Sequence, residues 1–278
     1  MIIGIVGLGV IGGSLAKSTK ARTMHTVLGV APSEETMMLA RMSGAVDEPL
    51  TRENLGSCDL LFLAVMPHIA VEWVREHASE IALSTVVVDL CGVKRSVCAS
   101  LQPIAREYGF TFIGGHPMAG KERSGFVAST DDLFDAASMI LTPDSTIDMN
   151  TLEDLKNFFL DVGFAHLTFT TPDEHDRIIA YTSQLAHISS SAYVRSPEAL
   201  RRRGFSAGSF GDMTRVARLD EEMWSELFCA NDDYLVGQLD ILIANLSEFK
   251  AALETGDEER LRMLLKEGRE IKAKIGEN

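Results

Sequence analysis

At 278 residues, with 46% hydrophobic and 24% charged residues, the chain has ordinary globular composition and room for two domains, which argues against a disordered protein. Lys and Arg number 26 against 40 Asp and Glu, a formal charge of −14, so the surface repels nucleic acid and anionic lipid, and an anionic substrate needs a local basic cluster. Apolar runs such as Leu60–Met66 fall well short of the roughly 20 residues a membrane span needs, and the apolar N-terminus lacks a basic n-region, so a cytoplasmic protein is expected, with neither nucleic acid nor membrane as partner.

The first 170 residues alternate β-branched runs with amphipathic stretches, the pattern of βαβ units. Ile2–Val6 reads as a strand, followed by a glycine turn and a helix to about Lys20. Val27–Val30 is a second strand and Glu34–Met42 a second helix. Leu60–Val65 is almost wholly apolar, as a central parallel strand covered on both faces must be. Ile69–Ile81 is helical, Thr85–Leu90 a buried strand and Val93–Tyr108 a helix. Strands at Thr111–Ile113 and Ser138–Thr142, a helix at Thr151–Val162 and a strand at His166–Thr170 complete this half. After Thr171-Pro172 no strand pattern appears. Helical periodicity runs through Asp173–Tyr193, Met223–Leu253 and Glu258–Ile275, broken by the Gly-, Ser- and Arg-rich stretch Arg195–Asp212. The expected architecture is a Rossmann-type α/β domain over residues 1–171 and an all-helical domain over 172–278. The apolar helical half suggests a dimer interface or packing on the first domain.

Gly7-Leu8-Gly9-Val10-Ile11-Gly12 lies directly after a strand and opens a helix. The first glycine permits the tight turn, the second admits a pyrophosphate to the backbone, and the third lets helix and strand pack closely. This segment is the expected cofactor cradle, with Ala31, Ser33, Val65 and Gly92 as further cofactor contacts. The alternatives are a structural turn or a fold that has changed its ligand. The ribose position is irregular: Val30-Ala31-Pro32-Ser33 precedes Glu34 and Glu35, with no acid where NAD would place one and no Arg where NADP would. Ser33 can hydrogen-bond either, so NAD and NADP both remain open. Cys58, Cys91, Cys98 and Cys229 lack metal-ligand spacing and a secreted context, and read as core or incidental thiols; no metal is expected.

Gly114-Gly115-His116-Pro117-Met118-Ala119-Gly120 follows a strand, at the carboxyl end of the sheet where open α/β folds bind ligands. A histidine held among glycines and a proline suits a preorganised general base, since imidazole titrates near neutrality.

These segments together resemble the prephenate/arogenate dehydrogenase family. The resemblance rests on Gly7–Gly12, on Asp89-Leu90-Cys91-Gly92-Val93-Lys94, and on His116–Gly120 with Glu122 and Ser124-Gly125. It continues through Glu174-His175-Asp176, Thr182-Ser183-Gln184-Leu185-Ala186-His187, and Asp212-Met213-Thr214-Arg215-Val216-Ala217 followed by Met223-Trp224. The motifs occur in the same order over nearly the whole chain. The resemblance implies a Rossmann-type domain joined to a helical dimerisation domain, a homodimer, and the NAD(P)-dependent oxidative decarboxylation of prephenate to 4-hydroxyphenylpyruvate, on the route to tyrosine. It implies His116 as the base that takes the ring hydroxyl proton and Arg215 as the grip on a substrate carboxylate; an ion pair of Arg215 with Asp212 or Asp220 is the alternative. His187 is implied as a substrate contact, against a satisfied buried histidine. Gln184 stands where relatives often have a first histidine three residues before the second; it can hydrogen-bond substrate but cannot titrate. Glu122 either gates the site or pairs with Lys121 or Arg123, and His175 is expected to cap or pack rather than react. At Gly92 many relatives carry a serine, so any orienting hydroxyl must come from elsewhere. Arg201, Arg202 and Arg203 form either a local positive field or a solvated run.

Arogenate in place of prephenate is the near alternative. A β-hydroxyacid or imine enzyme is more distant, and Asp173–Tyr193 contains no lysine of the kind the former uses. A non-catalytic dinucleotide sensor would not need His116, His187 and Arg215 together. Neither an appended regulatory domain nor a fused mutase is expected.

Overall fold

In the computed structural model, which describes residues 1–121 and 123–276, the chain divides into two compact units, Met1–Asn231 and Asp232–Asn278. The first is built on an eight-stranded sheet of order β3-β2-β1-β4-β5-β6-β7-β8. Its strands are β1 (Ile2–Val6), β2 (Thr26–Val30), β3 (Glu48–Pro49), β4 (Leu60–Leu63), β5 (Val86–Asp89), β6 (Thr111–Pro117), β7 (Ser138–Thr142) and β8 (His166–Phe169). All neighbours pair in parallel except β6 and β7, which are antiparallel.

The central strands are apolar because both faces are covered. Alternate residues point to opposite sides: Leu60 and Phe62 join the cluster containing Ile3, Ile5, Leu15 and Phe158, while Leu61 and Leu63 join that of Val74, Val87 and Leu101. Helices α1 (Val10–Arg22), α2 (Glu34–Met42), α3 (Arg52–Leu55), α4 (Pro67–His77), α5 (Arg95–Tyr108) and α6 (Met149–Asp161) connect the strands. Full burial of each large side chain such as Phe62 contributes about 1.5–3 kcal/mol.

Local chemistry explains the ends. Ser33 caps α2, its hydroxyl accepting from Thr36 N at 3.3 Å, and Glu34 and Glu35 place their charge on the positive end of that helix. Asp148 caps α6, and Thr171 caps α7 (Pro172–Ile179) with proline at the first turn. The edge strand β3 has only two residues and one is proline, so no alternation announces it.

Two expectations change. The single helix expected over Asp173–Tyr193 is α7, a π-helical segment at Ala180–Leu185, and α8 (Ala186–Val194). After a 3-10 turn at Pro197–Arg201 come α9 (Gly208–Thr214) and a 3-10 turn at Arg215–Ala217. The helix expected over Met223–Leu253 is two, α10 (Glu221–Cys229) and α11 (Asp232–Thr255). The break falls at Asn231, whose fully buried side chain is tied to α7 and the π segment, a demand that a continuous amphipathic pattern does not show. The compact unit that carries the sheet also includes α7 to α10.

The second unit is the hairpin of α11 and α12 (Glu258–Ile275), joined by an Arg260–Glu248 ion pair. It leaves Ile241, Ile243 and Leu246 on α11, and Leu265 and Ile271 on α12, at least half exposed. No helix among the described residues is long and apolar enough to cross a membrane.

Candidate active site

The strand order reverses direction between β1 and β4, and at such a switch point the loops after the strands diverge to leave a crevice. Gly7 directly follows β1 with φ +91, its amide bonded to Val30 O at 2.9 Å. A Cβ on Gly7 would lie 2.5 Å from both Ala64 O and Val65 Cγ1. At Gly12 a Cβ would collide with Gly7 O, so α1 packs directly on the turn. At Gly9 a Cβ would meet nothing within 4 Å, and no side chain caps α1 there, which leaves room beside the opening turn of that helix. This is a cradle shaped for a dinucleotide pyrophosphate. Leu8 contributes only backbone, its side chain being buried in the core, whereas Val10 and Ile11 are half-buried at the start of α1. Ala31 lines a groove with Pro32, Met37, Arg41 and Val46 beside the exposed Ser33. Val65 follows β4 and accepts a bond from Cys91 Sγ at 3.5 Å, which draws the ends of β4 and β5 together.

His116 lies within β6, which runs four residues past the expected end at Ile113, because Gly114–Pro117 pair with β7. Beneath it Lys94 and Asp89 form a fully buried ion pair. Lys94 Nζ also donates to Gly115 O at 2.6 Å, and Asp89 accepts from Cys91 N and Gly115 N at 3.0 and 3.3 Å. Burial works against the Lys94 ammonium, but Asp89 together with the Cys91 and Cys98 thiols outweighs it and raises the Lys94 pKa. The pair locks the carboxyl ends of β5 and β6 in register.

His116 Nδ1 is 2.8 Å from His175 Nε2, and His175 Nδ1 is 2.7 Å from Asp176 Oδ1. Asp176 also accepts from Lys94 N at 2.7 Å, Arg95 N at 2.9 Å and Arg95 Nε at 3.4 Å. His175 is therefore the partner of the candidate base, which corrects the expectation of a merely capping or packing residue. Burial pushes the His116 pKa well below the ordinary value, helped by the neighbouring His175 and by the Lys94 charge, so the imidazole is neutral at neutral pH. A Cβ on Gly92 would lie 4.0 Å from His116 Nε2 and 3.3 Å from Leu227 Cδ1. Position 92 thus faces the reactive edge of the base and presents no hydroxyl.

Gln184, expected at the substrate, is buried with its amide used inside the fold: Nε2 donates to Leu227 O at 3.0 Å, and Oε1 accepts from Asn231 Nδ2 at 2.8 Å. Asn231 Nδ2 donates also to Asp176 O at 2.8 Å, so Gln184 supports the His175–Asp176 segment from behind. His187 is half-buried, its Nδ1–H donating to Ser183 O at 2.8 Å and its ring stacked on Trp224 at 4.0 Å. The turn carrying the exposed Arg215 packs on α8, where Ser190 Oγ donates to Met213 O at 2.8 Å. Asp220 is occupied as the cap of α10. Glu122 lies outside the described residues; Lys121 donates to Ala128 O and Thr130 Oγ1. Arg201 pairs with Glu198 at 3.7 Å and Arg202 lies over Phe210, both on the surface.

Sequence reasoning undervalued His175, Asp176, Asn231 and Trp224. The signal for the first two was an adjacent His-Asp pair in the opening turn of a helix. The others depend on where α10 ends in space.

Comparison with known proteins identifies the family. The family model described as the nucleotide-binding domain of prephenate dehydrogenase matches residues 15–168, and that described as its dimerization domain matches 171–267. A prephenate dehydrogenase of Bacillus subtilis is 28% identical, over 92% of this chain and 71% of its own. A cyclohexadienyl dehydrogenase of Zymomonas mobilis is 25% identical, over 97% and 94%. The crystal structure of prephenate dehydrogenase from Aquifex aeolicus in complex with hydroxyphenyl propionate and NAD+ superposes with a TM-score of 0.87 at 27% identity, covering 99% of this chain and 98% of that one. A Synechocystis arogenate dehydrogenase superposes at 0.80 with 25% identity, over 99% and 100%. With both models matched in order over nearly the whole chain, the chain belongs to the prephenate dehydrogenase family.

Proposed function

We propose that this protein oxidatively decarboxylates prephenate to 4-hydroxyphenylpyruvate, with NAD or NADP as hydride acceptor. The observation that carries the reading is a neutral, half-buried His116 near the carboxyl end of β6, backed by His175 and Asp176. The residues present suit a dinucleotide: Gly7 and Gly12 close the turn, and Gly9 leaves room for phosphate beside the opening turn of α1. Bound there, the nicotinamide supplies the hydride acceptor. His116 Nε2 takes the proton of the ring C4 hydroxyl as hydride leaves C4. The ring carboxylate departs as carbon dioxide, and the electron pair it leaves completes the aromatic ring as a phenolate, to which the His116 imidazolium returns its proton, giving the phenol and restoring the neutral base. His116 thereby removes the charge problem of expelling hydride from a carbon that still bears a protonated hydroxyl.

Arg215 is assigned to a substrate carboxylate, which a planar guanidinium grips through two hydrogen bonds. His187, held by Ser183 and Trp224, forms part of the substrate wall. Glu122 is assigned to the same substrate. Residues 172–278 serve as the substrate and dimerisation domain, with the apolar faces of α11 and α12 covered by a second copy of the chain. The free thiols Cys58, Cys91, Cys98 and Cys229 suit a reducing cytoplasm.

The test is initial-rate formation of reduced cofactor with prephenate and arogenate, each crossed with NAD and NADP. Turnover of prephenate supports the proposal. Turnover of arogenate alone would reassign the substrate. Dinucleotide binding without turnover of either would leave a sensor.

A further inference from the structure

We infer that His175 is a positioning residue that fixes the tautomer of His116, and that Asp176 fixes that of His175 in turn. The inference rests on His116 being the base proposed above. Every contact of the Asp176 side chain comes from a donor. Its Oδ1 takes Lys94 N–H and the His175 ring, and its Oδ2 takes Arg95 N–H and Arg95 Nε–H. Burial alone would raise the pKa of this carboxyl, but the hydrogen bonds from His175, Arg95 N and Lys94 N hold it below the usual range, so it stays ionised.

An ionised carboxylate can only accept, so His175 Nδ1 must carry a proton. A neutral His175 then has its lone pair on Nε2. That atom faces His116 Nδ1 at 2.8 Å, so Nδ1 of His116 must be the donor. The lone pair of His116 is left on Nε2, the edge that faces position 92 and Leu227. The order of protons is thus written from Asp176 outward. The opposite arrangement needs His175 as a buried imidazolium; burial and the nearby Lys94 charge both oppose it, despite the pull of Asp176.

The relay also explains the frame around it. Asn231 bonds Asp176 O, Gln184 holds Asn231, and an Arg95 NH2 donates to Asn231 Oδ1 at 3.1 Å. When His116 accepts a proton at Nε2, its Nδ1–H is already donated, so the new positive charge is met without rearrangement. In this chain position 92 offers no hydroxyl to orient the base, and orientation comes from behind.

The experiment is nitrogen-15 NMR of ring-labelled histidine in the NAD+-bound protein, together with His175→Leu and His175→Gln. The spectrum should show neutral His116 protonated at Nδ1 and bare at Nε2. His175→Leu should lower kcat by about 10²-fold or more while leaving KM and the NAD+ Kd within about threefold, and His175→Gln, which can still accept from Nδ1, should recover at least about tenfold of that loss. His116 protonated at Nε2 in the parent protein would overturn the inference. So would kcat within about threefold of the parent in His175→Leu, or equal losses in both variants, which mark a packing role only. The NMR result does not depend on turnover, so failure of the assigned reaction is distinguishable from failure of the relay.

Discussion

Replacing His116 with Asn isolates proton acceptance from binding. The Asn amide ends where the imidazole Nδ1 lies, so it can keep the bond to His175 Nε2, now 2.8 Å. It reaches no further, and the acceptor at Nε2 disappears. Position 116 is clamped by pairing with Ile140 on β7, and the Lys94–Asp89 pair holds the adjacent Gly115, so the backbone should not move. General-base catalysis contributes about 10²–10⁴-fold, or about 3–5 kcal/mol of barrier. His116→Asn should therefore lower kcat with prephenate by that factor, with KM and dinucleotide Kd within about threefold. Steady-state kinetics and a dinucleotide titration read the two quantities separately. In the parent protein kcat should stay level through neutral pH and fall only well below pH ~6.5, because the lowered pKa keeps His116 neutral until then; the variant should lack that limb. A kcat within about threefold of the parent would remove His116 as the base.

The pKa values of His116 and His175 both lie below the unfolded value of about 6.5, so below that pH the unfolded chain binds more protons than the folded one. Stability should be full above pH ~6.5 and fall as pH drops toward 5, with a smaller drop in His116→Asn; thermal melts that stay flat over this range would contradict the burial of neutral imidazoles. Gly7→Ala forces a Cβ against Ala64 O and Val65 Cγ1 in a left-handed conformation costing about 1–2 kcal/mol. The dinucleotide Kd should rise about tenfold or more by calorimetry, and an unchanged Kd would place the pyrophosphate elsewhere. Arg215→Ala removes a charge-assisted contact of about 1.5–3 kcal/mol, so the KM for prephenate should rise about 10–100-fold with kcat little changed; an unchanged KM returns Arg215 to the surface.

Residue patterns alone determined the α/β first half, the glycine cradle and the candidate base. A βαβ series repeats locally, glycines at a turn answer steric demands a few residues away, and the apolar run at Leu60–Leu63 reports burial on both faces by itself. The two-residue β3 left no trace because two residues carry no period. Tertiary structure alone decided that His116 sits inside β6, since pairing with β7 outweighed the breaking tendency of Gly114, Gly115 and Pro117. It likewise decided what stands behind the base. His175 is 59 residues from His116 in the chain, and the Asn231 that supports Asp176 is 55 residues further on. Hydrogen-bonded partners this far apart are chosen by how helices pack on a sheet edge, and no local pattern of residues records that choice.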